Sequence, residues 1–183
     1  IGRSIKIMDT TTSTNDEVEH LAHNGEAEGL VIFSETQTDG RGRMGRKWAS
    51  PRKKGLWFST LLRPSLTASE CTQITIAAAV ALIKALKKVT GVNPQIKWPN
   101  DILVKGKKLG GILTEMSAEP DHVRHIIVGI GINVNQNYSE MPAHIRSIAT
   151  SLKMLLGNPV DRTKLAVDIL DELNTSYKQI LSG

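Results

Sequence analysis

From Ile96 to Asn135 the chain reads as one strand after another, and this block constrains the fold more than any other feature. The stretch IKWPNDILVKGKKLGGILTEM gives strand, tight turn, strand, a second turn at Lys105 and Gly106, and strand again. Pro99 biases Trp98 toward extended geometry, and Asn100 and Asp101 are common turn formers. After Pro120, HVRHIIVGIGINVN supplies a further strand. Within it Gly129 and Gly131 lie two apart and therefore on one face, where absent side chains let a ligand or another backbone come close.

Helices must back such a sheet, and the remaining sequence offers them. Thr14 and Glu17 have the spacing of a capping box, so a helix is expected from Thr14 to His23. Leu30 to Phe33 is an apolar run suited to a buried strand within Gly29 to Glu35, and a second strand is expected near Leu56 to Leu62. Thr67 and Glu70 make another capping box, ahead of the alanine-rich ITIAAAVALIKALKKV. That segment reads as a mostly buried helix with a basic last turn, ended by Gly91. Gln136 to Ser147 is polar and irregular, and helical patterns follow at Ile148 to Leu156 and Asp161 to Leu181. With 40% apolar and 22% charged residues, no repeat and no linker, residues 1–183 read as one globular domain.

The net charge of +5 is concentrated in one place. Eight cations and no acid lie between positions 41 and 63, and the rest of the chain holds 15 basic against 18 acidic residues. A local positive field favours one anionic site over a molecule-wide polyelectrolyte surface, although a nucleic-acid patch stays open. At its centre is GRGRMGRKW, Gly40 to Trp48, with four cations and three glycines in nine residues. Bare backbone N–H groups and guanidinium forks can both hold a multiply charged anion there. Like charges this close repel one another, so the loop is expected to be mobile alone and ordered by an anion.

The single cysteine, Cys71, fits an apolar helical pattern and a reducing compartment, and no stretch is long and apolar enough to span a bilayer. A cytoplasmic location is the expectation. His20 and His23 lie three apart on a helix, but no third ligand completes a set, so no structural zinc is expected.

TSTND (Thr12 to Asp16), GRGRMGRKW, KWPND (Lys97 to Asp101), KKLGGIL (Lys107 to Leu113) and GIGINVN (Gly129 to Asn135) occur in the order and spacing of biotin protein ligases. Over nearly its whole length the chain resembles the catalytic domain of that family, biotin–[acetyl-CoA-carboxylase] ligase. The resemblance implies an α+β fold, a mixed β-sheet backed by helices as in class II aminoacyl-tRNA synthetases, and the strands and helices read above agree with it. It also implies a two-step reaction. The biotin carboxylate attacks the α-phosphate of ATP to give biotinyl-5′-AMP and pyrophosphate; a lysine of a biotin carboxyl carrier domain then displaces AMP. The site would have to offset repulsion between a carboxylate and a triphosphate, with fixed cations and Mg²⁺.

Residue by residue, the resemblance assigns Ser13, Thr14, Gln37, Gly40 and Arg41 to the polar biotin contacts, and Gly111, Leu113 and Gly129 to the ring and tail. Arg43 would span the phosphate and carboxylate side, and Arg46 and Lys97 would bind the triphosphate. Lys108 would lie between carboxylate and α-phosphate as the leading catalytic group. Trp48 would stack on adenine and Asn133 would bond it, while Asn100 and Asp101 would orient the carrier lysine or a magnesium ion. Simpler readings coexist: Ser13 and Thr14 as helix caps, Asp101 as a turn former, Trp48 as a structural aromatic, Trp57 as core. Two other functions remain in view, a lipoate or octanoyl ligase or transferase of the same superfamily, and a non-catalytic nucleotide or nucleic-acid binding module. Family members usually carry a C-terminal β-barrel, and some an N-terminal DNA-binding helix-turn-helix; neither is expected within residues 1–183. DNA is expected as a partner only where that helix-turn-helix is present, and a homodimer stands open as the assembly.

Overall fold

Residue parity along the strands decides where the core lies and where a site can form. In the computed structural model, which describes residues 1–119 and 122–182, β3 (Gly55–Leu62) and β7 (Val123–Asn133) are antiparallel neighbours in register Trp57 to Gly131 and Ser59 to Gly129. Leu56, Phe58, Leu62, Ile126, Val128, Ile130 and Ile132 enter the main core on one face of the sheet. Leu61 and Ile127 belong to a second, smaller cluster on the other, which also carries Trp57, Ser59, Gly129 and Gly131.

Five more strands complete the sheet: β1 (Ser4–Met8), β2 (Leu30–Ser34), β4 (Gln95–Lys97), β5 (Asp101–Val104) and β6 (Lys107–Ala118). The order is β1-β2-β3-β7-β6-β5-β4, with β1 and β2 parallel and every other pair antiparallel. The sheet is therefore mixed, as expected. Lys105 and Gly106, both at positive φ, make the two-residue turn between β5 and β6.

Helices α2 (Thr72–Thr90) and α4 (Arg162–Ser182) pack together over the main core. Ala78, Ala79, Ala81 and Ala85 are buried in α2, and their small side chains let the helix lie close to its neighbours. Helix α1 (Thr14–His23), the crossover between β1 and β2, covers only part of the other face. Its Val18 and Ala22 bury against Leu30, Ile32, Leu61 and Ile127. The glycine-bearing part of β7 is left beside the N-terminus of α1, and the site forms there.

Several local details differ from the sequence expectation. Strand β1 was not anticipated: it is an edge strand whose Ile5 and Ile7 are 51% and 75% exposed, so it lacks a clean buried alternation. Helix α1 spans the expected residues, but Ser13 is its N-cap and no Thr14–Glu17 box forms. Thr14 N–H donates instead to Gln37 Oε1, and Glu17 accepts from the Thr11 hydroxyl. The Thr67–Glu70 box does form, yet the chain from Ser69 makes tight i→i+3 turns before α2 begins at Thr72. Helix α3 (Leu152–Leu156) starts later than Ile148 because Ala149 bridges to Lys108 and Ser151 caps the helix.

Candidate functional site

The floor of the site is glycine because protein side chains already press on it. A Cβ at Gly129 would stand 2.1 Å from Asn15 Oδ1, and one at Gly131 would stand 2.5 Å from the Trp48 indole. The two glycines thus admit the Asn15 and Trp48 side chains to the sheet surface, where the sequence alone points to a ligand or another backbone. Trp48 meets Trp57 edge-on at 6.1 Å between centroids, and Lys108 Nζ lies 5.3 Å from its ring. Trp57 is 1% exposed, as expected of core.

One wall is the start of α1. Ser13, Thr14 and Asn15 are all buried, and the Ser13 hydroxyl makes no capping bond. Gln37 holds this wall in place: its Oε1 accepts from Thr14 N–H at 2.8 Å and its Nε2 donates to Ser50 Oγ at 2.9 Å. Thr14 Oγ1 also lies 2.7 Å from Ser59 Oγ. The first turn of α1 adds the favourable end of a helix dipole.

The opposite wall comes from the β5–β6 hairpin, which brings KWPND and KKLGGIL together. Lys108 Nζ pairs with Asp101 Oδ1 at 2.6 Å. Asn100 donates through Nδ2 to Ile112 O and accepts from Arg43 Nη1 at 3.3 Å, tying the loop tip to this wall. Between the walls lies an open cleft.

Charge pairing sharpens the picture of the basic window. Arg41 pairs with Asp16 and Glu115, Lys47 with Asp39, Arg52 with Asp9, and Lys54 with Glu140. Arg63 donates to the Ala22, Glu26 and Arg124 carbonyls. Among the described residues, Arg43, Arg46, Lys53 and Arg63 of this window make no ion pair, and of these only Arg63 has its guanidinium held by backbone carbonyls. The surplus positive charge therefore concentrates at the loop tip beside the cleft, and repulsion within GRGRMGRKW is offset at Arg41 and Lys47 by carboxylates distant in sequence.

Ser13, Thr14, Gln37, Arg41, Arg43, Trp48, Asn100, Lys108, Gly111, Leu113 and Gly129 line this one cleft. Gly40 and Arg46 line an adjoining cleft along the loop, and Asp101 reaches the site through Lys108. Lys97 and Asn133 lie outside both linings. Lys97 is exposed on β4, an edge strand. The Asn133 amide is engaged, donating to Thr150 O and accepting from Gln136 Nε2, which ties the 136–151 segment to the sheet. Asn15, Ser59 and Glu115 were missed. Asn15 stood inside TSTND, and Glu115 is two residues beyond Leu113 on the same strand face, a period-2 signal that could have found it.

Fold and site together define an α+β domain that would seat a small ligand on a glycine floor beside fixed cations. The Biotin/lipoate A/B protein ligase family model matches residues 7–133. The chain is 41% identical over 182 residues to the bifunctional ligase/repressor BirA of Bacillus subtilis, covering 100% of this chain and 56% of that protein. It is 34% identical over 182 residues to the biotin–[acetyl-CoA-carboxylase] ligase of Mycobacterium tuberculosis, covering 97% of this chain and 65% of that one. The biotin protein ligase of Aquifex aeolicus, solved with biotin and ATP, superposes with a TM-score of 0.83 at 32% identity, over 98% of this chain and 72% of its own. The chain belongs to the biotin/lipoate A/B protein ligase family. It spans little more than half the length of its Bacillus relative.

Proposed function

We propose that this domain activates biotin with ATP as biotinyl-5′-AMP, releasing pyrophosphate, and passes biotin to a lysine of a carrier domain. The observation that carries the reading is the convergence of the α1 start, Gln37, Arg43 and Lys108 on one glycine-floored cleft. That the Aquifex relative was solved with biotin and ATP supports it.

In this reading the ureido head lies against Ser13, Thr14 and Gln37, and the bonds of Thr14 and Gln37 to each other and to Ser50 and Ser59 hold this wall in place before a ligand arrives. The carboxylate then points toward Lys108. Asp101 keeps the Lys108 ammonium oriented, and the contacts of that cation strengthen as negative charge builds between carboxylate and α-phosphate. Arg43, braced by Asn100, closes over the phosphate side, with Arg46 and Lys97 further out for the triphosphate. Asp101 offers a magnesium ion only the oxygen that Lys108 leaves, so such an ion would be held mainly by phosphate oxygens. In the second step the carrier amine attacks the acyl carbonyl, AMP leaves with the bonding electron pair, and an amide forms. No protein nucleophile is needed.

The test is incubation with biotin, ATP and magnesium, with pyrophosphate and biotinyl-AMP as readouts. The reading expects both products, and lipoate should compete poorly. Lipoyl-AMP in place of biotinyl-AMP would transfer the proposal to the sister activity. No adenylate, together with tight and steeply salt-dependent DNA binding, would replace it with a nucleic-acid module.

A further inference from the structure

Arg41 differs from the other cations of its loop. Its Nη2 lies 2.6 Å from Asp16 Oδ1 on α1 and 2.9 Å from Glu115 Oε2 on β6. The same Glu115 oxygen accepts from Asn15 Nδ2 at 2.6 Å, and Asn15 Oδ1 accepts from Ser59 Oγ at 2.5 Å. A continuous line of bonds therefore runs from β3 through α1 and β6 to the base of the loop. Two carboxylates on one guanidinium leave Arg41 no surplus charge to offer an anion, in contrast to Arg43 and Arg46.

The other stem of the loop is held as well. Trp48 N–H donates to Gly40 O at 2.7 Å and Gly42 N–H to Arg46 O at 2.6 Å, closing a narrow hairpin whose Trp48 indole lies over Gly131 and Gly111. Only the tip stands away from the body. Met44 there is 88% exposed and has a left-handed φ of 59°, outside the preferred range of its residue type. Fixed stems and a projecting tip describe a hinge.

We infer that Arg41 is a positioning residue rather than an anion ligand: Glu115 and Asp16 grip its guanidinium and so aim the loop tip, with Arg43, over the cleft. The side chains of Arg41, Asp16 and Glu115 are 42%, 49% and 35% exposed, so water and salt screen each pair. The effect belongs to loop order and not to global stability. The kinetic part of the inference rests on the adenylating reading; the loop-order part does not.

Three variants test it: Glu115→Gln, which keeps shape but loses charge, Arg41→Lys, which keeps charge but loses the fork, and the double variant. Hydrogen exchange at the Gly42 and Trp48 amides should quicken by up to about fivefold in each single variant, as expected for loss of a half-exposed ion pair. The double variant should exchange no faster than Arg41→Lys alone, because the Glu115 contact is already lost there. Melting temperature should stay near that of the parent. In single turnover, Glu115→Gln should release adenylate faster while binding biotin as the parent does. Unchanged exchange in both single variants would overturn the inference. So would tighter, more salt-sensitive biotin binding by Glu115→Gln, because that result would mean Arg41 is an anion ligand that Glu115 restrains. If the parent makes no adenylate, the proposed function falls, and the exchange measurement still decides the hinge.

Discussion

Gly129→Ala should destabilise the domain through one identifiable neighbour. The new methyl would stand 2.1 Å from Asn15 Oδ1, 2.9 Å from its Cγ and 3.1 Å from its Nδ2. Gly129 is flanked in register by Ser59 and Leu113, so the strand cannot yield and Asn15 must. Asn15 is 4% exposed, and moving it breaks the bonds from Ser59 Oγ at 2.5 Å and to Glu115 Oε2 at 2.6 Å. One neutral and one charge-assisted bond are together worth about 2–4 kcal/mol, less about 0.5 kcal/mol recovered by placing alanine for glycine in a strand. The net loss of about 1.5–3.5 kcal/mol should lower Tm by about 3–14 °C in a domain of this size. Asn15→Ala loses the same bonds and also clears the space, so Gly129→Ala should cost almost nothing on that background. Urea unfolding of the parent, both single variants and the double variant should show a coupling of about 2 kcal/mol. Additivity within about 0.5 kcal/mol would refute the argument, because the methyl would then be meeting something other than Asn15.

Arg43→Ala should release biotinyl-AMP about tenfold faster, the worth of one charge-assisted contact, and label lysines on bystander proteins; retention equal to the parent would remove Arg43 from the clamp. Lys108→Ala should slow adenylate formation by about a hundredfold or more while changing biotin affinity only a few-fold, as expected of a contact made mainly in the transition state. Equal losses would tell against that role. Burial, reinforced by the hydrogen bond to Glu28 at 2.5 Å, pushes the Tyr177 hydroxyl well above the usual tyrosine range. A raised folded-state pKa contributes stability that is complete below the unfolded value of about 10 and declines as pH rises past it. Tyr177→Phe should therefore cost about 1 kcal/mol at neutral pH and flatten the alkaline decline in urea midpoint; an unchanged decline would show that another group governs it.

Much of this was legible in the sequence because the informative residues obey short-range rules. Lys105–Gly106 could hardly be anything but a two-residue turn, and the period-2 glycines of GIGINVN do lie on one face. The misses share a different cause. Strand β1 is held by pairing with β2, and the alternation Ile5-Lys6-Ile7 is too short to mark a strand unaided. The cap of α1 comes from Gln37, 23 residues away, which local capping rules cannot foresee. Arg41 read as a polar biotin contact, and its ion-pair partners, Asp16 and Glu115, could not be read beside it because they arrive from α1 and β6 only once the sheet has formed. Motif spacing also says nothing of side-chain reach, which tertiary placement sets: Lys97 and Asn133 fall outside the two cleft linings.

The central claim, that this cleft aligns biotin with ATP, is tested most directly by a crystal structure of the domain with both substrates. The account predicts the ureido head against Ser13, Thr14 and Gln37, the activated carboxyl within hydrogen-bond reach of Lys108 Nζ, and the purine against Trp48. Biotin seated outside the cleft, or a nucleotide in it with Lys108 still paired only to Asp101, would contradict it.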